Sequence, residues 1–221
     1  MIHQRTALTV HIAWTLLALA LLAWLAAALS SASVRNFDAA VRLGIHQWAS
    51  PTLTELMQAI TVLGSVRFLG SALAIAIAGF LMAGWRQSAV ALAWIMAGAI
   101  VLENTMKYAV HRVRPEPFFG TEPDTYGFPS GHALLSSCFY WVLAEVLAGR
   151  SRSVFARATI WTVAAALIAA IGLSRIYLGV HYPTDVLGGY LTAAFWVGTL
   201  KSIRGLQWCR CARGPRRDAS S

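Results

Sequence analysis

Pro129, Ser130, Gly131 and His132 stand where a polar loop gives way to an apolar run. Pro129 stops any helix from crossing that point, so Ser130 and Gly131 fall at the start of a new one, where backbone N–H groups lack intrahelical partners. Those donors, with the positive end of the helix dipole, suit a phosphate-like anion, and His132 is placed to give that anion a proton. A Pro-Ser-Gly turn also caps helices with no chemistry attached, so the motif needs companions.

Two further clusters supply them. Lys107 and Arg114 are separated by six residues, and Pro115 follows. Seven residues are two helical turns, so a helix continuing through Arg114 would project both cations from one face about 10 Å apart, with Pro115 as its stop. His111 and Arg112 read instead as interfacial side chains reaching for headgroups. In the other cluster Ser174 and Arg175 precede His181 by five residues, and His181 precedes Asp185 by three. Pro183 fits the first turn of a helix, which leaves His181 just before it and Asp185 in its opening turn, within reach of an imidazole nitrogen. A carboxylate there would hold the tautomer and stabilise the imidazolium, so His181 reads as a nucleophile; alone, such a pair also serves structure.

Together, Lys107, Arg114 and Arg175, the Ser130-Gly131 nest and two histidines supply what phosphoryl transfer needs: charge neutralisation, a nucleophile and a leaving-group acid. The sequence has no acidic cluster that would hold a metal, so the three cations must meet the phosphate charge, and no metal or other cofactor is expected.

The elements that deliver these residues are membrane spans. Charged residues make up 12% of the 221 and apolar ones 57%, against about 25% and 45–50% in soluble proteins. The net charge of +9 could suggest nucleic acid, but no basic stripe is interleaved with exposed aromatics, and nucleic acid is excluded as a partner. Cys138, Cys209 and Cys211 form no disulfide framework, and the tail pair reads as incidental thiols rather than a metal or lipid site.

The expected fold is all-α, a polytopic bundle of six transmembrane helices with short amphipathic interfacial helices. The first span is Ala7 to Leu29, long enough to cross about 30 Å of hydrocarbon and longer than a signal-peptide core. Phe68 to Trp85, Ser88 to Val110, Ala133 to Ala148, Ala158 to Leu173 and Pro183 to Leu200 follow. Between the first two, Phe37, Val41, Ile45 and Trp48 recur at helical spacing opposite Asp38, Arg42 and Gln47, and Leu53, Leu56, Met57, Ile60 and Leu63 repeat the pattern. These amphipathic stretches are assigned to the interface, with no chemistry. Glu103, four residues before Lys107, reads either as its structural ion-pair partner or as part of a polar cavity.

Residues 1–205 thus form a single six-span domain with an amphipathic extracytoplasmic segment at 35–63, and 206–221 form a basic cytoplasmic tail. Six spans put both termini on one side. If that side is the cytoplasm it holds Arg5, Arg86, Arg150, Arg152, Arg157, Lys201, Arg204, Arg210, Arg213, Arg216 and Arg217, eleven of the 18 basic residues. All three clusters then meet at the external face.

The three motifs resemble the full signature of the type 2 phosphatidic acid phosphatase superfamily. That resemblance implies that His181 attacks phosphorus to give a phosphohistidine, oriented by Asp185. It implies that His132 protonates the leaving oxygen and then activates water, while Lys107, Arg114, Arg175, Ser130 and the Gly131 amide hold the phosphoryl oxygens. The expectation is a metal-independent lipid phosphatase of a bacterial cytoplasmic membrane, its site facing the periplasm or exterior, with lipid phosphate and membrane lipids as partners. Undecaprenyl diphosphate is the first substrate choice; phosphatidylglycerophosphate, phosphatidic acid and lipid A phosphates follow, and Glu116, Phe119, Glu122, Asp124 and Tyr126 in the loop before the nest could shape that choice. A lipid phosphotransferase would use the same residues. A non-catalytic lipid-binding or transport protein is the reading from a different class, opposed by how few intramembrane charges lie outside the motifs, Glu103 and Glu145 among them. The sequence leaves the oligomeric state open.

Overall fold

The computed structural model describes residues 2–120 and 125–204. The tail from 206 to 221, with Cys209 and Cys211, and the loop residues Glu122 and Asp124 lie outside the described residues. Among the described residues the chain forms eight α-helices and no strand: α1 (Ile2–Ala28), α2 (Ala32–His46), α3 (Pro51–Val62), α4 (Val66–Met82), α5 (Arg86–Val110), α6 (Gly131–Arg150), α7 (Val154–Tyr177) and α8 (Pro183–Arg204).

Serine marks the helix starts. Ser31, Ser50, Ser65 and Ser153 each cap a helix, the hydroxyl accepting from the backbone N–H of the residue three positions on, a bond that answers one of the orphan donors of a first turn. Pro51 occupies the opening of α3, where its missing N–H costs nothing. Ser130 stands at the same position before α6 but makes no such bond.

α6 is the central element, packed against α5, α7 and α8, while α1 lies along α8. Leu134, Cys138, Val142 and Val146 of α6 are fully buried with Leu92, Ile95 and Ala99 of α5 and Ile171 of α7. The outer surface is the reverse of a soluble protein's, with Trp14, Trp24, Ile75, Met82, Trp94 and Phe155 exposed. Hydrocarbon, not water, is the solvent such a surface fits, and the chain is an integral membrane protein.

Three helices, α5, α6 and α7, are each long and apolar enough to cross a membrane, and up to five spans result if the bent pairs α1–α2 and α3–α4 each count as one. All six expected spans correspond to helices, but six crossings do not follow: α4 has only 17 residues, and α8 is diluted by Thr184, Asp185, Gly188, Gly189 and Thr192. The amphipathic stretches do form helices, α2 and α3, yet α2 is turned opposite to the arrangement of a soluble protein. Asp38 is fully buried against the bundle, whereas Phe37, Leu43 and Trp48 point away from it. A membrane interface takes the apolar face and leaves the polar one to dock on protein.

Candidate active site

The C-terminal ends of α5 and α7 and the N-terminal ends of α6 and α8 meet at one end of the bundle. Lys107 sits in the last turn of α5 with its Nζ donating to Glu103 Oε1 at 2.6 Å, both side chains about nine-tenths buried. The helix then stops at Val110, because His111 adopts the left-handed conformation (φ 51°) and returns its N–H to the Lys107 carbonyl at 3.0 Å. This corrects the expectation of a helix through Arg114. Lys107 and Arg114 do not share a helix face, and Pro115, which holds its predecessor extended, lies beyond the break rather than causing it.

Arg114 reaches the site from this irregular segment. Its Nε and Nη2 donate to the Thr125 carbonyl and hydroxyl at 2.6 and 2.9 Å, and its Nη1 to the Val180 carbonyl at 3.0 Å and to His181 Nε2 at 2.7 Å. A guanidinium has only donors, so Nε2 of His181 must be the accepting lone pair and the ring proton must sit on Nδ1. That Nδ1–H points to Asp185 Oδ2 at 3.4 Å. Asp185 lies in the first turn of α8 after Pro183, as expected, and is fully buried. Its Oδ2 also accepts the Tyr182 N–H at 2.9 Å. Burial is the largest influence on His181 and, helped by Arg114 and Arg175, outweighs Asp185 and pulls the imidazole down to about 4, so the ring is neutral at pH 7.

The α6 end is tied to the same place by the Ser130 N–H, which donates to the Asp185 carbonyl at 2.9 Å. Ser130 Oγ is buried without a hydrogen-bond partner, and so is Nε of Arg175. Buried polar atoms are nearly always paired, so two orphans in one cluster of cations mark where an anion would bind. Arg175 is 8% exposed at the end of α7, its Nη1 fixed by Thr61 Oγ1 of α3 at 2.8 Å. His132 lies in the first turn of α6, within electrostatic reach of Arg175, His181, Arg114 and Lys107, and beside the α3–α4 turn, where a Cβ on Gly64 would come 3.2 Å from its Cδ2. Gly131 meets the Glu103 carboxylate: a Cβ there would stand 2.1 Å from Oε1. Gly189 of α8 allows the same closeness on the other side, since its Cβ would be 2.8 Å from the Ser130 carbonyl.

All eight residues singled out in the sequence, Lys107, Arg114, Ser130, Gly131, His132, Arg175, His181 and Asp185, therefore belong to one cluster. Arg112 and Asp38 were read wrongly, and Thr61 was not singled out at all. Arg112 does not reach for headgroups: its side chain is 11% exposed and bridges Asp38 and Asp185 at 2.6 Å each. Asp38 and Thr61 come from the helices assigned no chemistry, and each holds a cation of the cluster. His111 does lie outside, against the edge of Tyr126. Among the described residues no three His, Cys, Asp or Glu side chains converge as a metal site would require. Lys107, Arg112, Arg114 and Arg175 face Glu103, Asp38 and Asp185, four cations to three carboxylates.

The sequence pattern of the PAP2 superfamily matches residues 88–208, more than half of the chain. The chain belongs to that superfamily. Among PAP2 relatives, phosphatidylglycerophosphatase B of Bacillus subtilis is 30% identical over 167 residues, covering 75% of this chain and 82% of that one. Undecaprenyl-diphosphatase of Sulfolobus acidocaldarius is 31% identical over 108 residues, 46% of this chain and 48% of that one. The crystal structure of a transmembrane PAP2 type phosphatidylglycerolphosphate phosphatase from Bacillus subtilis superimposes with a TM-score of 0.78 at 27% identity, covering 87% of this chain and 98% of that one. The PAP2 match begins at Ser88, so α2 and α3, with Asp38 and Thr61, lie outside it.

Proposed function

We propose that the chain is a membrane phosphatase that cleaves a phosphomonoester or diphosphate of a lipid through a phosphohistidine on His181. The observation that carries this reading is the neutral His181 with its Nε2 lone pair held by Arg114, in one cluster with the unpartnered Ser130 Oγ and Arg175 Nε. Arg114 yields Nε2 as it turns to a phosphoryl oxygen. Nε2 then attacks phosphorus, the P–N bond forms, the bond to the leaving oxygen breaks, and His132, which takes up a proton as the phosphate anion binds beside it, gives that oxygen its proton. His132, now neutral, takes a proton from water; the hydroxide attacks phosphorus, the P–N bond breaks, and inorganic phosphate leaves with the lone pair restored to Nε2. Asp185 holds Nδ1–H throughout. Lys107, Arg114, Arg175, Ser130 Oγ and the Gly131 N–H neutralise the transferring group.

The substrate reading places phosphatidylglycerophosphate ahead of undecaprenyl diphosphate. The relative similar over most of both chains is named for the first, and the undecaprenyl-diphosphatase match covers less than half of this chain. A six-span layout with both termini cytoplasmic and the site at the outer face is supported by the charge sorting and by the cluster's place at one end of the bundle. The test is phosphate release by purified protein in detergent from phosphatidylglycerophosphate, undecaprenyl diphosphate, phosphatidic acid and lipid A phosphates. Release from at least one, abolished by His181→Ala, is expected; no release from any by folded protein would overturn the proposal.

A further inference from the structure

We propose that Asp38 and Arg112 form a positioning pair that fixes the Asp185 carboxylate in its orientation toward His181. The proposal deepens the phosphatase reading and rests on it. Asp38 is fully buried, and both its oxygens are used: Oδ1 accepts the Thr184 N–H at 3.0 Å, and Oδ2 accepts the Thr184 hydroxyl at 2.7 Å and Arg112 Nη2 at 2.6 Å. The Thr184 amide is one of the orphan donors at the start of α8. The residue before that helix is Tyr182, not one of the short Ser, Thr, Asp or Asn side chains that cap a first turn. A carboxylate 146 positions earlier in the chain does so instead, and the dipole of α8 favours its charge.

Arg112 joins this cap to the reaction centre. Nη1 donates to Asp185 Oδ1 at 2.6 Å and to Thr184 Oγ1 at 2.7 Å, while Nη2 takes Asp38, and the guanidinium lies 4.4 Å over the Tyr182 ring. Only a planar fork spans two carboxylates in this way. Asp185 is then held at both oxygens, Oδ1 by Arg112 and Oδ2 by the Tyr182 N–H and His181. It cannot rotate without stranding a buried charge. Sharing its charge with Arg112 also weakens its pull on the Nδ1 proton, so the neutral ring keeps its lone pair on Nε2. The charged and titratable groups around His181 and Asp185 are Asp38 from α2, Arg112 and Arg114 from the segment after α5, His132 from α6, Arg175 from α7, and Tyr182, while Lys107 of α5, paired with Glu103, acts on His132.

The experiment compares Arg112→Gln, Arg112→Lys and Asp38→Asn in the full chain in detergent, on whichever lipid phosphate of the panel above the wild type cleaves fastest. A displaced reacting group costs on the order of 100-fold, so Arg112→Gln should lose about 100-fold in kcat with KM within about threefold. Its acid limb should move to higher pH, because the unshared Asp185 charge favours protonated His181. Arg112→Lys should restore the limb and recover only part of kcat, since an ammonium reaches one carboxylate. Asp38→Asn should lose about tenfold in kcat with KM unchanged; if Arg112→Gln does not fold, this variant and Arg112→Lys carry the comparison. Wild-type kcat with an unmoved limb, or a loss residing wholly in KM, would overturn the proposal. No turnover by the wild type on any lipid phosphate would instead refute the phosphatase reading.

Discussion

Replacing Gly131 by alanine sets helix propensity against site geometry. By propensity, Ala in a helix is better than Gly by up to about 1 kcal/mol, so the fold should hold or gain. The site says otherwise: the added Cβ would stand 2.1 Å from Glu103 Oε1, 2.7 Å from its Cδ and 3.0 Å from Oε2. A carbon and an oxygen tolerate about 3.3 Å, so the carboxylate must retreat by about 1 Å. Glu103 can do this, because the offending atoms are the tip of a flexible side chain. It cannot do so and keep Lys107 where it is, since their contact is already 2.6 Å. A cation displaced by that distance costs roughly 100-fold in kcat/KM, or about 2.7 kcal/mol of transition-state stabilisation. The assay is phosphate release in detergent beside a thermal melt, for Gly131→Ala, Glu103→Ala and the double variant. The expected outcome is an unchanged or higher Tm, a loss of about 100-fold, and a double variant losing less than the product of the singles. A Gly131→Ala enzyme within about threefold of wild type, or strictly additive losses, would mean that Glu103 and Lys107 are not coupled through this contact.

Three further outcomes follow from the same geometry. Asp185→Asn lets an amide N–H face His181 Nδ1 and reverses the tautomer, so kcat should fall about 10⁴-fold while the folded protein survives size-exclusion chromatography; a loss under tenfold would contradict the assignment. Since burial holds His181 at about 4 in the folded protein, below the unfolded histidine value near 6.5, the unfolded chain binds the extra proton as pH falls through that window. Stability is therefore complete above pH 6.5 and declines toward pH 4, by up to about 3 kcal/mol from this residue. Histidine NMR should show His181 still neutral at pH 6, and a midpoint near 6.5 would contradict it. If Lys107, Arg114 and Arg175 meet the phosphate charge as proposed, phosphate release should be unchanged after EDTA treatment, and a loss restored by a divalent cation would show a site these residues do not form.

The sequence carried the site further than the fold. Glycine, proline, histidine and cations at short fixed spacings report local backbone demands, so the starts of α6 and α8 and the place of Asp185 were legible. What failed was what depends on distant partners. The end of α5 is set by His111 turning left-handed, while Arg112 finds its carboxylates 74 and 73 positions away, and nothing local foretells either. Asp38 was visible as a charge on an amphipathic helix, but periodicity gives a stripe and not the direction it faces. In a membrane that direction is reversed, with Phe37 and Trp48 outward and Asp38 inward. Thr61 left no signal, since a threonine near the end of an apolar helix has many ordinary uses. Length and composition alone mark three to five spans among the described residues, because α8 trades apolar residues for close packing and site chemistry.

In the proposed mechanism His181 carries the phosphoryl group from the lipid to water. Mixing the enzyme with a radiolabelled lipid phosphate, quenching in alkaline denaturant within the first turnover and locating the label by mass spectrometry tests it most directly. Phosphate is expected on the peptide containing His181, absent in His181→Ala and short-lived in the wild type. Label on another residue, or steady release of phosphate with none ever bound to the protein, would contradict it.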